Sequence, residues 1–298
     1  MNPGSKENKE SIFIDENRNV FRGEQAVELL RARQSETVDP VKGVTRVEAE
    51  RWQEAQRYER RTWMEGVAAM SDRNEAHQAY FGGYCALAGK HFRSAIELGC
   101  GPFTNLRKIL LHCKVDEIHL LDPLAGDYLE HPFCRYKKRR LGGIFKTSLL
   151  PWTRRGGFKH PLRFYKHKFD EWRVGKGFGR EIALHTQAIE DFVTSGRFDL
   201  CVMINVIEHC RDADLIFSKI LEMTGPGSHF VFADKIYSAR REAEEASSRF
   251  DAGHPLRVDH TVVRAFLGEN FHALWDAEVV ESEGGEEFKS NYFIGVRR

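Results

Sequence analysis

The sequence lacks several features that would place it outside the class of soluble globular proteins. It contains no run of about eighteen apolar residues, which a membrane-spanning helix needs. Residues 1–10 are polar and charged, where a secretory signal would have an apolar core. No internal repeat or low-complexity tract is visible. We therefore expect a soluble, cytoplasmic protein.

Closely spaced cysteines are also missing. The six cysteines lie far apart and form no Cys-x-x-Cys pair, the spacing of many zinc and redox sites. Three of them lie in apolar or glycine-rich segments. The pattern predicts reduced, buried thiols and no metal centre.

Charge is unevenly distributed along the 298 residues, although the formal net charge is only +1. Residues 131–180 hold fifteen lysines or arginines against two acids, Asp170 and Glu171. This segment therefore carries +13 and the remainder −12. A nearly neutral total hides a basic segment on an acidic protein.

The first ninety residues combine a polar start with two amphipathic segments. Residues 11–14 and 19–22 flank a turn-rich stretch and predict a small hairpin, which we expect to be mobile or loosely docked. Thr45 and Glu48 fit a capping box, so a helix is expected from there to about Met70. A second helix is predicted over residues 72–88.

From residue 94 onward, short apolar runs alternate with amphipathic stretches, the pattern of βαβ units. This pattern predicts an α/β fold with a seven-stranded, mostly parallel sheet, helices on both faces and an antiparallel pair at one edge. The predicted strands are residues 94–98, 117–121, 181–185, 198–204, 229–233, 277–280 and 291–296. The interval between the second and third strands is about twice what one helix and two loops need, so it must hold an insertion.

A glycine turn follows the first predicted strand. Gly99 and Gly101 let the backbone approach a ligand, and a helix starting near Asn105 offers free amides. NAD-binding folds use a similar turn. However, the Glu97 carboxylate suits the ammonium of a methionine moiety better than a pyrophosphate, and Thr104 stands where the dinucleotide motif has its last glycine.

Polar residues also follow the next three strands. Asp122 closes the second strand, where a carboxylate can accept both hydroxyls of a ribose; the alternative is a helix N-cap. After the third strand, Gln187 and the amides of Ala188 and Ile189 could meet an adenine. Residues 205–209 follow the fourth strand and should border a methyl donor, although Glu208 and His209 could instead cap the next helix.

Together these residues resemble the class I S-adenosylmethionine (SAM)-dependent methyltransferase superfamily, particularly its ubiquinone and sugar methyltransferase branch. The resemblance covers about residues 94–298. It places the E-x-G-x-G motif at Glu97, Gly99 and Gly101, the V-L-E-H element at residues 206–209 and the H-P-x-x-f element at residues 254–258. It also likens the helix bearing Trp52, Gln53, Gln56 and Trp63 to a lid over the SAM site.

The resemblance implies a Rossmann-like domain over residues 91–298 with an insertion at 125–180, preceded by a polar segment and helical lid over residues 1–90. The residues expected to bind SAM are Glu97, Gly99, Cys100, Gly101, Asp122, Pro123, Gln187, Ala188, Ile189 and Asn205. Phe103 departs from the family's third glycine, and Gln187 from its commoner aspartate.

Methyl transfer from a sulfonium mainly requires alignment, with a base only when the acceptor must lose a proton. His209, Asp234 and His254 are the candidates for a base or orienting group. Asp234 could instead cap a helix or pair with Lys235, and His254 could be a packed structural residue.

The basic segment gives the best clue to the acceptor, because it interleaves aromatic residues with Arg and Lys. It could form a lid over an anionic small molecule such as a phosphorylated or nucleotide-linked sugar, bind RNA, or lie on an anionic membrane; a solvated loop is the plain alternative. We favour the small-molecule lid. An NAD-dependent oxidoreductase and a non-catalytic SAM-binding protein are the rival functions, and the sequence leaves a homo-oligomer open.

Overall fold

The computed structural model describes residues 11–33, 37–65, 74–131, 134–136, 182–194, 196–283 and 286–298. Its strands are β1 (Ile12–Ile14), β2 (Val20–Arg22), β3 (Gly43–Val44), β4 (His91–Leu98), β5 (Lys114–Leu121), β6 (Ile182–His185), β7 (Phe198–Ile204), β8 (Thr224–Lys235), β9 (Arg249–Asp251), β10 (Arg257–Val258), β11 (Phe271–Glu283) and β12 (Glu286–Arg297). Its helices are α1 (Gly23–Ala32), α2 (Ala49–Met64), α3 (Asn74–Tyr80), α4 (Leu106–Ile109), α5 (Ala125–Tyr128), α6 (Ala213–Met223), α7 (Ala239–Glu245) and α8 (His260–Asn270).

The central sheet has seven strands in the order β6-β5-β4-β7-β8-β12-β11. The first five of these run parallel, whereas β12 pairs antiparallel with both β8 and β11. All seven predicted strands are confirmed, as is the antiparallel pair at the edge. Strand order reverses at β4, which has β5 on one side and β7 on the other, so a crevice opens beyond the carboxyl ends of these strands.

Each face of the sheet packs against its own apolar cluster. Along β4, Ile96 and Leu98 belong to one cluster, whereas Ala95 belongs to the other. Because successive side chains of a strand point to opposite faces, this division means that both faces are covered. The predicted α/β, Rossmann-like class with helices on both faces is confirmed.

The N-terminal hairpin forms as predicted, with β1 antiparallel to β2. Its expected loose docking is wrong for the described residues, because β1 also pairs parallel with β9. The Phe13 ring lies 4.8 Å from that of Phe250, between ring centroids. The long interval in sequence between β1 and β9 hid this pairing.

Both predicted N-terminal helices differ in extent from their predictions. The capping box is wrong: α2 begins at Ala49, and the N-cap residue Glu48 makes no side-chain capping hydrogen bond. Residues 43–46 are extended instead, because β3 pairs with β10 and Arg46 bridges to Asp212. The helix predicted for residues 72–88 ends at Tyr80, since residues 82–84 adopt positive φ angles.

The basic part of the insertion, residues 137–181, lies outside the described residues, so its predicted role stays a prediction. Five of the six cysteines are buried as predicted, whereas Cys85 is exposed, contrary to the prediction. Among the described residues, no helix is both long and apolar enough to cross a membrane. The cytoplasmic location also stays a prediction.

Candidate active site

A cavity of about 600 Å³ opens at the carboxyl ends of β4, β5 and β7. Most of the wall comes from the loops after these strands, from the loop after β6, and from α2 and α3, with further residues from the β1–β2 turn, the end of β8 and the loop after β9. The lining residues include Arg18, Trp52, Gln56, Tyr58, Glu59, Thr62, Trp63, Asn74, His77, Gly99, Cys100, Gly101, Pro102, Phe103, Asp122, Pro123, Tyr128, Ala188, Ile189, Glu190, Asn205, Val206, Glu208, His209, Lys235 and His254. Eight of the ten predicted SAM-binding residues and two of the three candidate bases are among them.

The glycine turn after β4 brings the backbone to the cavity. Gly99 has a φ of +63°, and a Cβ there would lie 2.5 Å from Cγ2 of Val206. Gly101 has a φ of +52°, and a Cβ there would meet nothing within 4 Å. Gly99 is therefore needed for close packing of the turn on the loop after β7, whereas Gly101 faces open space.

Glu97 lies beneath this turn and is buried. Its carboxylate accepts hydrogen bonds from the backbone amides of Asn105 (2.7 Å) and Leu106 (3.2 Å) and from the Thr104 hydroxyl. Burial raises its pKa to about 7. Glu97 is not among the cavity-lining residues. The turn thus folds its own donors over the carboxylate, and the predicted contact of Glu97 with an ammonium stays a prediction.

Replacing Glu97 with alanine is expected to lower the free energy of unfolding by about 3 kcal/mol, because buried donors lose their acceptor. Glu97→Gln keeps one acceptor oxygen and should cost less. Chemical denaturation followed by circular dichroism measures both values. Glu117, exposed on β5, provides the matched control, and Glu117→Ala should change stability by under about 0.5 kcal/mol. Equal effects at the two positions would refute the role of Glu97.

Asp122 follows β5 and borders the cavity beside the glycine turn. Its Oδ2 accepts a hydrogen bond from the Gly101 amide at 3.0 Å, and its Oδ1 accepts one from Leu124 at 2.8 Å. Burial raises its pKa to about 6. The carboxylate therefore braces the turn while remaining at the cavity wall, next to Pro123.

The loop after β6 supplies two of its three predicted residues. Ala188 and Ile189 line the cavity, whereas Gln187 is exposed and is not among the lining residues. Glu190, which sequence reasoning did not single out, lines the cavity instead. Its Oε1 accepts a hydrogen bond from the Arg211 amide at 2.8 Å. The lining residues of this loop are therefore 188–190, whereas 187–189 were predicted. A short 3-10 turn covers Ile189–Asp191.

The loop after β7 begins with Asn205, which lines the cavity at a φ of +58°. Asp234 is buried behind this loop and is not among the residues that line the cavity. Its Oδ2 accepts hydrogen bonds from the amides of Val206 (3.1 Å) and Ile207 (2.8 Å), and burial raises its pKa. The side chain therefore holds the loop in place in this geometry, and its predicted role as a base or orienting group stays a prediction.

Two helices from the N-terminal ninety residues cover the cavity. Helix α2 contributes Trp52, Gln56 and Trp63, three of the four residues predicted for a lid, and also Glu59. The Gln56 amide donates to the His209 carbonyl at 3.1 Å. Glu59 was missed, and the helical spacing of Trp52, Glu59 and Trp63 could have indicated it.

A cluster of ionisable side chains occupies the end of the cavity beyond the loop after β7. At its centre is Glu208, wholly buried, with the Lys235 ammonium 3.2 Å from Oε1 and the Tyr237 hydroxyl donating to Oε2 at 2.5 Å. The Nε2 atoms of His209 and His254 each lie 3.6 Å from Oε1. Both predicted histidines therefore meet at one carboxylate.

Burial alone would raise the pKa of Glu208, but the charges of His254, Lys235 and His209 outweigh it and hold that pKa below its usual range. Burial would likewise lower the pKa of His254, yet the carboxylates of Asp251 and Glu208 raise it. Asp251 accepts a hydrogen bond from Nδ1 of His254 at 2.7 Å. Lys235, Tyr237 and Asp251 were not predicted, since none belongs to a sequence motif.

Comparisons with known proteins give matches only among solved structures. No family model matches the chain, and no curated protein matches it. The chain is similar to the N-methyltransferase NodS from Bradyrhizobium japonicum in complex with S-adenosylhomocysteine (SAH), with a TM-score of 0.46, 16% identity and coverage of 82% of this chain and 98% of the other. For the glycopeptide N-methyltransferase MtfA complexed with sinefungin, the TM-score is 0.41, the identity 16% and the coverage 80% and 90%.

A third match is the 1,6-didemethyltoxoflavin-N1-methyltransferase from Burkholderia thailandensis with 1,6-didemethyltoxoflavin and SAH bound. Its TM-score is 0.43, its identity 11%, and the alignment covers 89% of this chain and 99% of that one.

Proposed function

We propose that the protein is a SAM-dependent methyltransferase that acts on a small-molecule acceptor. One observation carries the proposal: the glycine turn at residues 99–101 and the Asp122 carboxylate border the same cavity, at the point where strand order reverses. Open α/β sheets bind nucleosides at this place. The division into a lid over residues 1–90 and a SAM-binding domain over residues 91–298 belongs to the same proposal.

In the proposed complex, Asp122 accepts hydrogen bonds from the ribose hydroxyls, and Ala188 and Ile189 frame the adenine. The methionine part lies against Gly99, Cys100 and Gly101, where an added Cβ would find only open space at Gly101. A volume of about 600 Å³ falls within the ordinary range for small-molecule sites. The sulfonium then points past Asn205 toward the histidine-bearing end.

Methyl transfer requires the acceptor atom, the methyl carbon and the sulfur to lie in line. A lone pair of the acceptor forms the new bond to carbon as the carbon–sulfur bond breaks, and sulfur retains that electron pair as a neutral thioether. Helices α2 and α3 exclude water from this reaction. His209 and His254 remain the candidates to take a proton or orient the acceptor.

The cavity's charge argues against the rival NAD-dependent oxidoreductase. Its lining acids are Glu59, Asp122, Glu190 and Glu208. Of the lining groups that can carry positive charge, Lys235, His209 and His254 lie at Glu208 and not at the glycine turn, where a pyrophosphate would bind. A pyrophosphate would meet an acidic wall, whereas the sulfonium and ammonium of SAM carry positive charge. The described part of the cavity therefore offers no support for an anionic acceptor or for RNA. Such a preference would depend on the basic segment, which lies outside the described residues.

The affinity for SAH should fall as pH decreases from about 7 to about 5, by roughly threefold to tenfold. Burial places the pKa of Asp122 at about 6, so protonation in this window removes the charge that accepts the ribose hydroxyls. Because SAH binds more tightly to the ionised form of the Asp122 carboxylate, the affinity for SAH is highest above the pKa of Asp122. Calorimetry across the pH series measures the change, and Asp122→Asn should flatten it. A profile unaltered in that variant would contradict the assignment.

Activity is tested by incubating the protein with methyl-labelled SAM and with pools of small hydroxyl, amine and thiol compounds, and separately with an RNA pool. We expect label in one acceptor class together with stoichiometric SAH. The control is Asp116, an exposed residue of β5, the strand that ends just before Asp122. Asp116→Asn should keep full activity, whereas Asp122→Asn should lose most of it. SAH binding without transfer to any pool, including RNA, would favour a non-catalytic SAM-binding protein.

A further inference from the structure

Three metal-ligating side chains converge at the acceptor end of the cavity. Atoms of Glu208, His209 and His254 that could each serve as a ligand lie within 4.8 Å of one another. Glu208 and His209 follow β7, whereas His254 lies between β9 and β10. The tertiary fold therefore brings together residues far apart in the sequence.

Hydrogen bonds fix the orientation of both imidazoles. Nδ1 of His209 lies 3.0 Å from the Gly253 carbonyl and 3.5 Å from a Glu59 carboxylate oxygen. Nδ1 of His254 lies 2.7 Å from Asp251 Oδ2. Because all of these partners are acceptors, each Nδ1 carries a proton, and each Nε2 is the ring atom left to bind an ion once it has given up its own proton, as a metal-ligating imidazole must.

Both Nε2 atoms face the same carboxylate oxygen, at 3.6 Å from Glu208 Oε1. This oxygen is buried and accepts no hydrogen bond from the described residues. The Lys235 ammonium lies 3.2 Å from this oxygen and forms an ion pair with it, but its geometry does not make a hydrogen bond to Oε1. A metal ion bound among these atoms would displace the protons of the Nε2 atoms and supply the positive charge that stabilises the buried carboxylate.

We propose that Glu208, His209 and His254 bind a divalent transition-metal ion such as Zn²⁺. Bonds of about 2.0–2.1 Å to a tetrahedral ion separate ligand atoms by roughly 3.3 Å. Each observed nitrogen–oxygen distance of 3.6 Å then needs a contraction of about 0.3 Å. The third separation, between the two histidine ligand atoms, lies within 4.8 Å and needs to close by up to about 1.5 Å, which a rotation of either side chain can supply. Two imidazoles with one carboxylate favour zinc, manganese, iron or cobalt over calcium or magnesium. This proposal departs from the expectation of no metal centre.

The surrounding contacts match those of metal sites. Ligating histidines usually donate their other ring N–H to a carboxylate or backbone carbonyl, as His254 does to Asp251 and His209 to Gly253. Tyr237 holds the second oxygen of Glu208, which leaves Oε1 as the ligand. All three ligands line the cavity, so a fourth coordination position faces the acceptor.

The ion's role in catalysis rests on the proposed function, whereas the metal site itself does not. An acceptor hydroxyl bound at the fourth position would have a lowered pKa. Because His209 and His254 would then be bound to the ion, neither would act as the base, and the acceptor proton would pass to solvent. The oxygen lone pair forms the bond to the methyl carbon, and the sulfur keeps the electrons of the broken carbon–sulfur bond.

The site is tested with tag-free, chelator-treated protein titrated with Zn²⁺ by calorimetry and with Co²⁺ by visible absorption. We expect one ion per chain, with cobalt bands typical of four-coordination. Glu208→Gln, His209→Asn and His254→Gln should each weaken binding at least tenfold. Lys235→Met should bind as tightly as the parent protein or more tightly, because a competing cation is removed. The surface variant His91→Gln serves as the control and should bind normally.

Parent-like affinity in both histidine variants, or no stoichiometric binding, would overturn the metal site. The two partly buried histidines keep the test valid if Glu208→Gln does not fold. SAH binding is measured on the same samples. SAH binding without metal binding would contradict the metal site and leave the proposed function standing. Metal binding without SAH binding would contradict the proposed function and leave the metal site standing.

Discussion

Gly99→Ala is expected to lower the free energy of unfolding by about 2–4 kcal/mol, since a left-handed backbone and an overpacked site each cost roughly 1–3 kcal/mol. The new methyl group would lie 2.5 Å from Val206 Cγ2, at a φ of +63°. The turn and the loop after β7 must then separate. Thermal and urea denaturation measure the loss, and weaker SAH binding should accompany it.

Gly101→Ala is the matched control for this prediction. It also has a positive φ, +52°, but its Cβ would contact nothing within 4 Å. We expect a smaller loss of stability, about 1 kcal/mol, together with impaired SAH binding because the methyl group enters the cavity. Equal destabilisation by the two substitutions would contradict the packing assigned to Gly99.

Asp122→Ala is expected to weaken SAH binding by about 1–3 kcal/mol, or roughly 5- to 150-fold, the scale of lost hydrogen bonds to a charged group. The carboxylate also accepts the Gly101 amide at 3.0 Å, so the glycine turn loses a brace at the same time. Calorimetric titration with SAH gives the affinity directly.

Two further variants separate these effects. Asp122→Asn keeps an acceptor for the Gly101 amide but lacks the charge, so its affinity should lie between those of the parent protein and Asp122→Ala. Asp116→Ala, at an exposed position of β5, should bind SAH normally. Unchanged SAH affinity in Asp122→Ala would mean that the ribose is held elsewhere.

The sheet could be predicted from the sequence because its strands are short apolar runs bounded by turn residues. The N-terminal elements were harder, since their structure depends on distant partners. Residues 43–46 are extended only because β3 meets β10, and local capping preference alone favoured a helix there. Tertiary pairing thus outweighed a local signal worth about 1 kcal/mol.

The same distinction holds within the site. Positions set by strand ends, such as Gly99, Asp122 and Asn205, were predictable because the carboxyl ends of parallel strands share one edge. The direction of a side chain was not: Glu97 turns beneath its own loop, and Asp234 braces the next one. The meeting of Glu208 with His254 depends on how two loops pack, which no local pattern encodes.

A crystal structure of the protein grown with SAH tests the account most directly. We expect the ribose hydroxyls within hydrogen-bonding distance of the Asp122 carboxylate, the homocysteine part against residues 99–101, and the sulfur facing the end that holds His209 and His254. A nucleoside bound away from both the turn and Asp122, or NAD bound in its place with no affinity for SAH, would contradict it.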